Sequence, residues 1–222
     1  MSYLINQTNQ IHVVQAWYQA QYEQATTTAI QSTPHHGGAA INEARRILEV
    51  PPIMLKAVLE FGNRTNEGVL VRAVAMPWFA IIRLMVQDPR YIYDLDPRRW
   101  EELVAGAWRQ EGYDVILTQR SGDGGRDVIA TLPGVGRVRL FDQVKRYSPG
   151  NLVTAEEVRS MLGVLEVEGN VSKGIITTTS DFAPGIAKDL GIQRLIPYRL
   201  ELKPREELFD WLENLTNVPA AR

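Results

Sequence analysis

Three residues in the middle of the chain combine side chains that can bind a metal ion and a phosphate. The segment SGDGGRDVIA places Asp127 at the start of an apolar run, and the segment FDQVKRY carries Gln143 and Lys145 with one residue between them. Because side chains alternate along a strand, Gln143 and Lys145 are predicted to point to the same face. If the two segments pair as a hairpin, a carboxylate, an amide oxygen and an ammonium converge. This group is suited to metal-dependent cleavage of a phosphodiester bond.

The residue types match the needs of that reaction. Mg²⁺ prefers oxygen ligands, and Mn²⁺ is an alternative for the same ligands. Asp127 would supply an anionic oxygen and Gln143 a neutral one. Lys145 is a point charge suited to the scissile phosphate or to the attacking water. A bound metal ion activates water and stabilises the charge that develops on the phosphoryl group.

A helix predicted over 97–110 offers a further carboxylate. Asp96 is a typical N-cap, Pro97 suits the first helical position, and Gly112 is a typical C-cap. The apolar residues recur at helical spacing and form one stripe, and Glu101 lies at its edge. Glu101 is therefore predicted to face the sheet, where a second anion would compensate for the neutral amide of Gln143.

The elements around these residues predict an α/β fold. A mixed sheet is expected to lie between helices, and the helix over 154–168 should make its two flanking strands parallel. The predicted strands of this part cover 113–118, 127–131, 137–145, 174–179 and 199–202, and the predicted helices cover 97–110, 154–168, 184–190 and 204–215.

Residues 1–95 are predicted to form a separate, mostly helical N-terminal region of unknown role, followed by the domain at 96–222. No motif with a chemical mechanism occurs in the first region. Its predicted elements are helices over 9–30, 39–49, 52–61 and 78–86 and a strand over 69–75.

The composition is typical of a water-soluble globular protein and leaves the partner open. The 222 residues include 45% hydrophobic and 23% charged residues and no cysteine, which excludes disulfides and thiolate metal sites. No apolar run reaches the length of a membrane span, and the first residues lack the pattern of a signal peptide. We therefore expect a cytoplasmic protein without a membrane partner. The net charge of −2 does not favour a protein that coats nucleic acid.

Several segments together resemble the Mrr-like restriction endonucleases of the PD-(D/E)xK nuclease superfamily. They are, in order, WEELVA, GYDVILT, SGDGGRDVIA, QVKRY and KGIITTTSDF. The resemblance implies a restriction-endonuclease-like α/β/α core over 96–222 in which Asp127, Gln143, Lys145 and Glu101 are catalytic. Asp127, Gln143 and Glu101 would bind the metal. Many members have Glu where this chain has Gln143, so the chain would be a Q-x-K variant.

The activity implied by the resemblance is Mg²⁺-dependent cleavage of foreign or modified DNA, as in type IV restriction. Arg126 and Arg146 are predicted contacts to the DNA backbone. Double-strand cleavage by a chain with one site would need a homodimer or two successive nicks. Two alternatives stay open: a catalytically silent DNA-binding or scaffold protein, which the neutral Gln143 favours, and a defence effector activated by a partner.

Other polar residues near these motifs have simpler interpretations. Alternation places Asp142 on the face opposite Gln143, which predicts a structural role. Glu156 and Glu157 could supply a displaced acid from the next helix, although a solvated helix face explains them as well. The hydroxyl groups at 177–180 could contact phosphate, and strand propensity with capping explains them equally well.

Overall fold

The computed structural model describes residues 51–119 and 125–217. The predicted helices over 9–30 and 39–49 and the glycine-rich turn at 121–124 lie outside these residues. The chain divides into two compact units, 1–56 and 57–222. The candidate residues lie in the second unit, and the domain boundary at 95/96 stays a prediction.

The second unit is built around a mixed β-sheet. The strands of this unit are β1 (Leu59–Arg64), β2 (Gly68–Val74), β3 (Asp114–Thr118), β4 (Val128–Leu132), β5 (Val138–Lys145), β6 (Leu152–Val153), β7 (Lys173–Thr178), β8 (Asp181–Phe182) and β9 (Leu200–Lys203). Within the described residues, seven strands form one mixed sheet in the order β1-β2-β3-β4-β5-β7-β9, and β6 pairs with β8. The pairs from β1 to β5 are antiparallel, whereas β5, β7 and β9 run parallel.

The helices of the second unit are α1 (Met76–Gln87), α2 (Pro97–Gln110), α3 (Ala155–Val167), α4 (Leu190–Gln193) and α5 (Arg205–Asn217). The side chain of Asp96 accepts a hydrogen bond from the amide of Arg99, so α2 begins at the predicted N-cap. A capping box of Thr154 and Glu157 begins α3, in which each side chain bonds to the backbone of the other.

Helices cover both faces of the sheet. On one face, the indole of Trp108 in α2 donates to Asp142 of β5, and Trp211 of α5 packs against Trp108 with ring centroids 4.9 Å apart. On the other face, α3 lies close to β7, where a Cβ on Gly174 would lie 2.9 Å from Leu165 Cδ1. The absence of a side chain at Gly174 therefore lets α3 approach the sheet.

The predicted fold class is confirmed, and the crossover through α3 makes β5 and β7 parallel as expected. The prediction of a helix over 52–61 is wrong, because only Pro52–Leu55 is helical and Leu59–Arg64 pairs with β2. Pairing with a neighbouring strand supplies hydrogen bonds that local helical spacing cannot anticipate. The predicted helix over 184–190 is replaced by a 3₁₀ turn at Ile186–Lys188 and by α4.

In the part of the chain that the structure describes, no helix is both long enough and apolar enough to span a membrane.

Candidate active site

Asp127 is bound to β5 directly before the β4–β5 ladder begins. Val128 pairs with Asp142, and the amide of Asp127 donates to the carbonyl oxygen of Asp142 at 3.0 Å. The paired positions of this ladder begin at Val128, and Asp127 directly precedes them. The Oδ2 atom of Asp127 accepts a hydrogen bond of 2.7 Å from the amide of Val144. The carboxylate is therefore fixed against β5 at the point where the ladder ends.

Lys145 lies on the same face, two residues beyond Gln143 at the end of β5. Its backbone pairs with Thr178 of β7. Its Nζ lies 3.5 Å from Oε1 of Glu157, and the two side chains are 23% and 25% exposed. The ammonium is thus partly open to solvent and held near the first turn of α3. Gln143 and Lys145 thus share one face of β5, as alternation predicts, and the Asp127 carboxylate is bound to the backbone between them at Val144.

The carboxylate of Glu157, next to Lys145, is held by hydrogen bonds to both of its oxygens. Its Oε2 accepts hydrogen bonds from the amide and the hydroxyl of Thr154 at 2.9 and 3.0 Å. Its Oε1 accepts a hydrogen bond from the hydroxyl of Tyr147. Partial burial by itself raises the pKa of Glu157, but the hydrogen bonds of Thr154 and Tyr147 and the charge of Lys145 hold that pKa below its usual value. Burial and the Glu157 carboxylate raise the pKa of Tyr147 to about 12.

Glu157 therefore departs from the simple interpretation of a solvated helix face. Glu156, its neighbour, is exposed. The signal available in the sequence was the capping box Thr154-x-x-Glu157, which predicts a hydrogen-bonded Glu at the third helical position. The contact with Lys145 had no sequence signal, because it depends on how α3 packs against β5.

Asp142 lies on the opposite face, as alternation along β5 predicts. It is 1% exposed, and its Oδ2 accepts hydrogen bonds from Trp108 Nε1 at 2.9 Å and from Thr177 Oγ1 at 3.1 Å. Burial raises the pKa of this carboxyl to about 6, against the lowering effect of the two hydrogen bonds. Asp142 thus connects α2, β5 and β7 beneath the candidate site.

Glu101, unlike the other three candidate residues, is paired with a residue of its own helix. Its carboxylate forms an ion pair of 2.6 Å with Arg98 on the same helix. The apolar stripe of α2 is buried as predicted, and it packs on the face of the sheet that carries Asp142. Among the described residues, the structure has no hydrogen bond or ion pair between Glu101 and Gln143 or Lys145. The role of Glu101 at the metal stays a prediction.

The two arginines predicted to contact DNA both make contacts within the chain. Arg126 donates to Glu168 at the end of α3, and its guanidinium lies 4.8 Å from the ring centroid of Phe141. Arg146 donates to the carbonyl oxygen of Tyr93. In this conformation the guanidinium groups help to join the elements around the site, and their contact with DNA stays a prediction.

Threonine hydroxyl groups at the end of β7 and directly after it hold the end of β5 in place. Thr178 Oγ1 donates to the carbonyl oxygen of Lys145 at 2.9 Å, and Thr179 Oγ1 donates to that of Tyr147 at 2.8 Å. The amide of Tyr147 in turn donates to Thr179 Oγ1 at 2.9 Å. These bonds continue the parallel pairing past the last ladder position, which favours the structural interpretation of the threonine run.

The donor set fits a hard divalent cation. Asp127 offers a carboxylate and Gln143 an amide oxygen, and both are ligand types of Mg²⁺. Within 51–119 and 125–217, no three His, Cys, Asp or Glu side chains come together as metal ligands. A cation at Asp127 and Gln143 would thus complete its shell with water or phosphate oxygens.

A mixed sheet covered by helices, with a carboxylate, an amide and a lysine at the ends of two adjacent strands, defines a domain of the restriction-endonuclease type. Residues 92–212 match the family Mrr_cat, whose description is restriction endonuclease. This match covers more than half of the 222 residues. The chain belongs to that family, so the family resemblance predicted from the sequence is confirmed.

Further similarities are more distant. An uncharacterized protein, y4cE, of Sinorhizobium fredii (strain NBRC 101917 / NGR234) is 24% identical over 141 residues, which make up 63% of this chain and 35% of that protein. The chain thus spans about a third of the length of this relative. Two solved structures have TM-scores of 0.41 and 19% identity. One is the DNA modification-dependent restriction endonuclease AspBHI, with 83% of this chain and 50% of that chain covered. The other is the MspJI restriction endonuclease in complex with a 27-mer oligonucleotide, with 70% and 37% covered.

Proposed function

We propose that the chain is a Mg²⁺-dependent DNA endonuclease of a restriction or defence system, with Asp127, Gln143, Lys145 and Glu101 as its catalytic residues. The single observation that carries the proposal is the hydrogen bond from the Val144 amide to Asp127 Oδ2, which holds the carboxylate against β5 between Gln143 and Lys145. Membership of a restriction endonuclease family supports DNA as the substrate. Such a protein would act on DNA in the cytoplasm, and two copies would be needed to cut both strands at once.

Each residue has a separate task in this proposal. Asp127 and Gln143 would hold Mg²⁺, or Mn²⁺ in its place, and Glu101 would reach it directly or through water. The metal ion would supply Lewis acidity and an acidified water. Lys145 would orient the attacking water or stabilise the negative charge that builds on the phosphoryl oxygens. The hydrogen bond from the Val144 amide keeps the Asp127 carboxylate in place before DNA binds.

Plasmid nicking with increasing Mg²⁺ tests the proposal, with methylated and unmethylated supercoiled DNA as substrates. Lys145→Ala should slow nicking by about 100- to 1,000-fold, the cost of removing one group that stabilises transition-state charge. Asp127→Asn should abolish the response to Mg²⁺ because it removes the anionic ligand.

Lys173→Ala is a matched control, because Lys173 is also a strand lysine in an ion pair, 2.9 Å from Glu201, and is 25% exposed. This variant should cut like the wild type. Nicking that persists in Lys145→Ala would refute the site assignment. If the wild type does not cut either substrate with Mg²⁺ or Mn²⁺, the neutral Gln143 favours the alternative of a DNA-binding protein without catalysis.

A further inference from the structure

Glu157 connects the start of α3 to the end of β5 through two different oxygens. Its Oε2 completes the capping box with Thr154, which caps the first turn of the helix. Its Oε1 is directed to β5, where it accepts from the Tyr147 hydroxyl and lies 3.5 Å from Lys145 Nζ. The second oxygen therefore does something that helix capping does not require.

The tyrosine fixes the carboxylate on the side that faces the lysine. Tyr147 is itself held to the neighbouring strand, because its amide donates to Thr179 Oγ1 and its carbonyl accepts from the same hydroxyl. The phenol thus extends from an anchored backbone to Oε1, while Thr154 anchors Oε2. A carboxylate held at both oxygens has little freedom to rotate, so it offers a defined partner to a mobile ammonium.

Lysine needs such a partner more than most side chains do. Its ammonium is a compact charge at the end of a flexible four-carbon chain, and holding it in one place costs rotamer entropy. Because Lys145 and Glu157 are both partly exposed, their ion pair adds little to the stability of the fold. Its main effect is on where the ammonium lies.

We propose that Glu157, held by Tyr147, is a positioning residue that keeps the Lys145 ammonium on the face of β5 that carries Gln143. This inference rests on the proposed nuclease function and adds a residue to its site. Glu157 would act through Lys145 and would not touch the metal or the DNA. Losing the charge of Glu157 would leave Lys145 present but distributed over many positions.

Glu157→Gln in the full chain separates this role from helix capping, because Gln also completes a capping box. The first measurement is the rate at which acetic anhydride labels Lys145, followed by peptide mass spectrometry. The variant should label about 2- to 5-fold faster, the factor expected when a partly exposed ion pair is lost. Lys173 provides an internal reference because its pair with Glu201 is unchanged. Glu156→Gln is the matched control, since Glu156 is exposed in the same helical turn, and it should label like the wild type.

The second measurement is the split between kcat and KM in DNA nicking. Misplacement of the ammonium should lower kcat by about 10- to 100-fold in Glu157→Gln, with KM for DNA nearly unchanged. Tyr147→Phe leaves the capping box intact, and it should shift both the labelling rate and kcat in the same direction by a smaller factor. A Glu157→Gln variant that fails to fold would leave the decision to Tyr147→Phe.

Unchanged labelling of Lys145 in both variants would overturn the proposal, as would faster labelling with an unchanged kcat. If the wild type does not nick DNA at all, the proposed function fails, and the labelling rate still decides whether Glu157 holds Lys145.

Discussion

Gly106 of α2 lies directly against the indole of Trp78 in α1. This contact tests how α1 packs against α2, the helix that carries Glu101. A Cβ added to Gly106 would lie 2.4 Å from Nε1 and 2.7 Å from Cδ1 of Trp78. Trp78 is fully buried, and its Nε1 donates to the carbonyl oxygen of Leu103 at 2.9 Å. Gly106→Ala must therefore displace a buried ring and disturb its hydrogen bond.

Opposing effects set the magnitude of the change. Alanine is favoured over glycine inside a helix by about 0.8–1 kcal/mol. Overpacking in a core costs about 1–3 kcal/mol, and a lost hydrogen bond costs about 0.5–1.5 kcal/mol. Because Trp78 has no exposed side to move toward, the packing cost should exceed the gain in propensity. We expect Gly106→Ala to lower the free energy of unfolding by about 1–3 kcal/mol.

Gly163→Ala in α3 is the matched control. Gly163 is also inside a helix, but it is exposed and has no atom within 4 Å of the position of an added Cβ. The propensity gain should then be unopposed and raise the free energy of unfolding by about 0.5–1 kcal/mol. Urea unfolding followed by tryptophan fluorescence measures both changes. A Gly106→Ala protein as stable as the wild type would refute the reasoning from the Trp78 contact.

Two further variants test the acids of the site and of the layer beneath it. Glu101→Gln removes only an ion pair within one helix, so its unfolding free energy should fall by less than about 1 kcal/mol. The Mg²⁺ concentration for half-maximal nicking should rise about 10-fold or more if Glu101 reaches the metal, and an unchanged Mg²⁺ titration would contradict that role. Asp142→Asn tests the carboxyl whose pKa burial raises from 3.8 to about 6. Between these values the folded protein retains a proton that the unfolded chain has lost, so the stability of the wild type relative to Asp142→Asn should fall by up to about 3 kcal/mol from pH 4 to pH 7. A difference that stays constant over this pH range would show that Asp142 titrates normally.

Short-range patterns predicted most of the second unit correctly. The stripe of α2 and the N-cap at Asp96 appear as expected, because both depend on residues within a few positions of each other. The parallel arrangement of β5 and β7 follows from the length of the crossover through α3. The helix predicted over 52–61 fails, because the formation of β1 depends on its pairing with β2.

For the site, alternation along β5 was sufficient to put Gln143 and Lys145 on one face and Asp142 on the other. The sequence could also indicate that Glu157 belongs to a capping box at the start of a helix. It could not indicate that the second carboxylate oxygen of Glu157 faces Lys145. Nor did it indicate that Arg126 and Arg146 would be held by Glu168 and the backbone of Tyr93.

The sequence by itself determined which chemical groups this protein carries and on which face of β5 the side chains of Asp142, Gln143 and Lys145 lie. Side-chain alternation and the covalent spacing of residues are local properties, so they need no knowledge of the rest of the chain. Only the tertiary structure decided which groups from distant elements meet: the Val144 amide with Asp127 at the end of the ladder, and α3 with Lys145. These contacts depend on strand register and on the close approach of α3 at Gly174, which are set by packing across the whole unit.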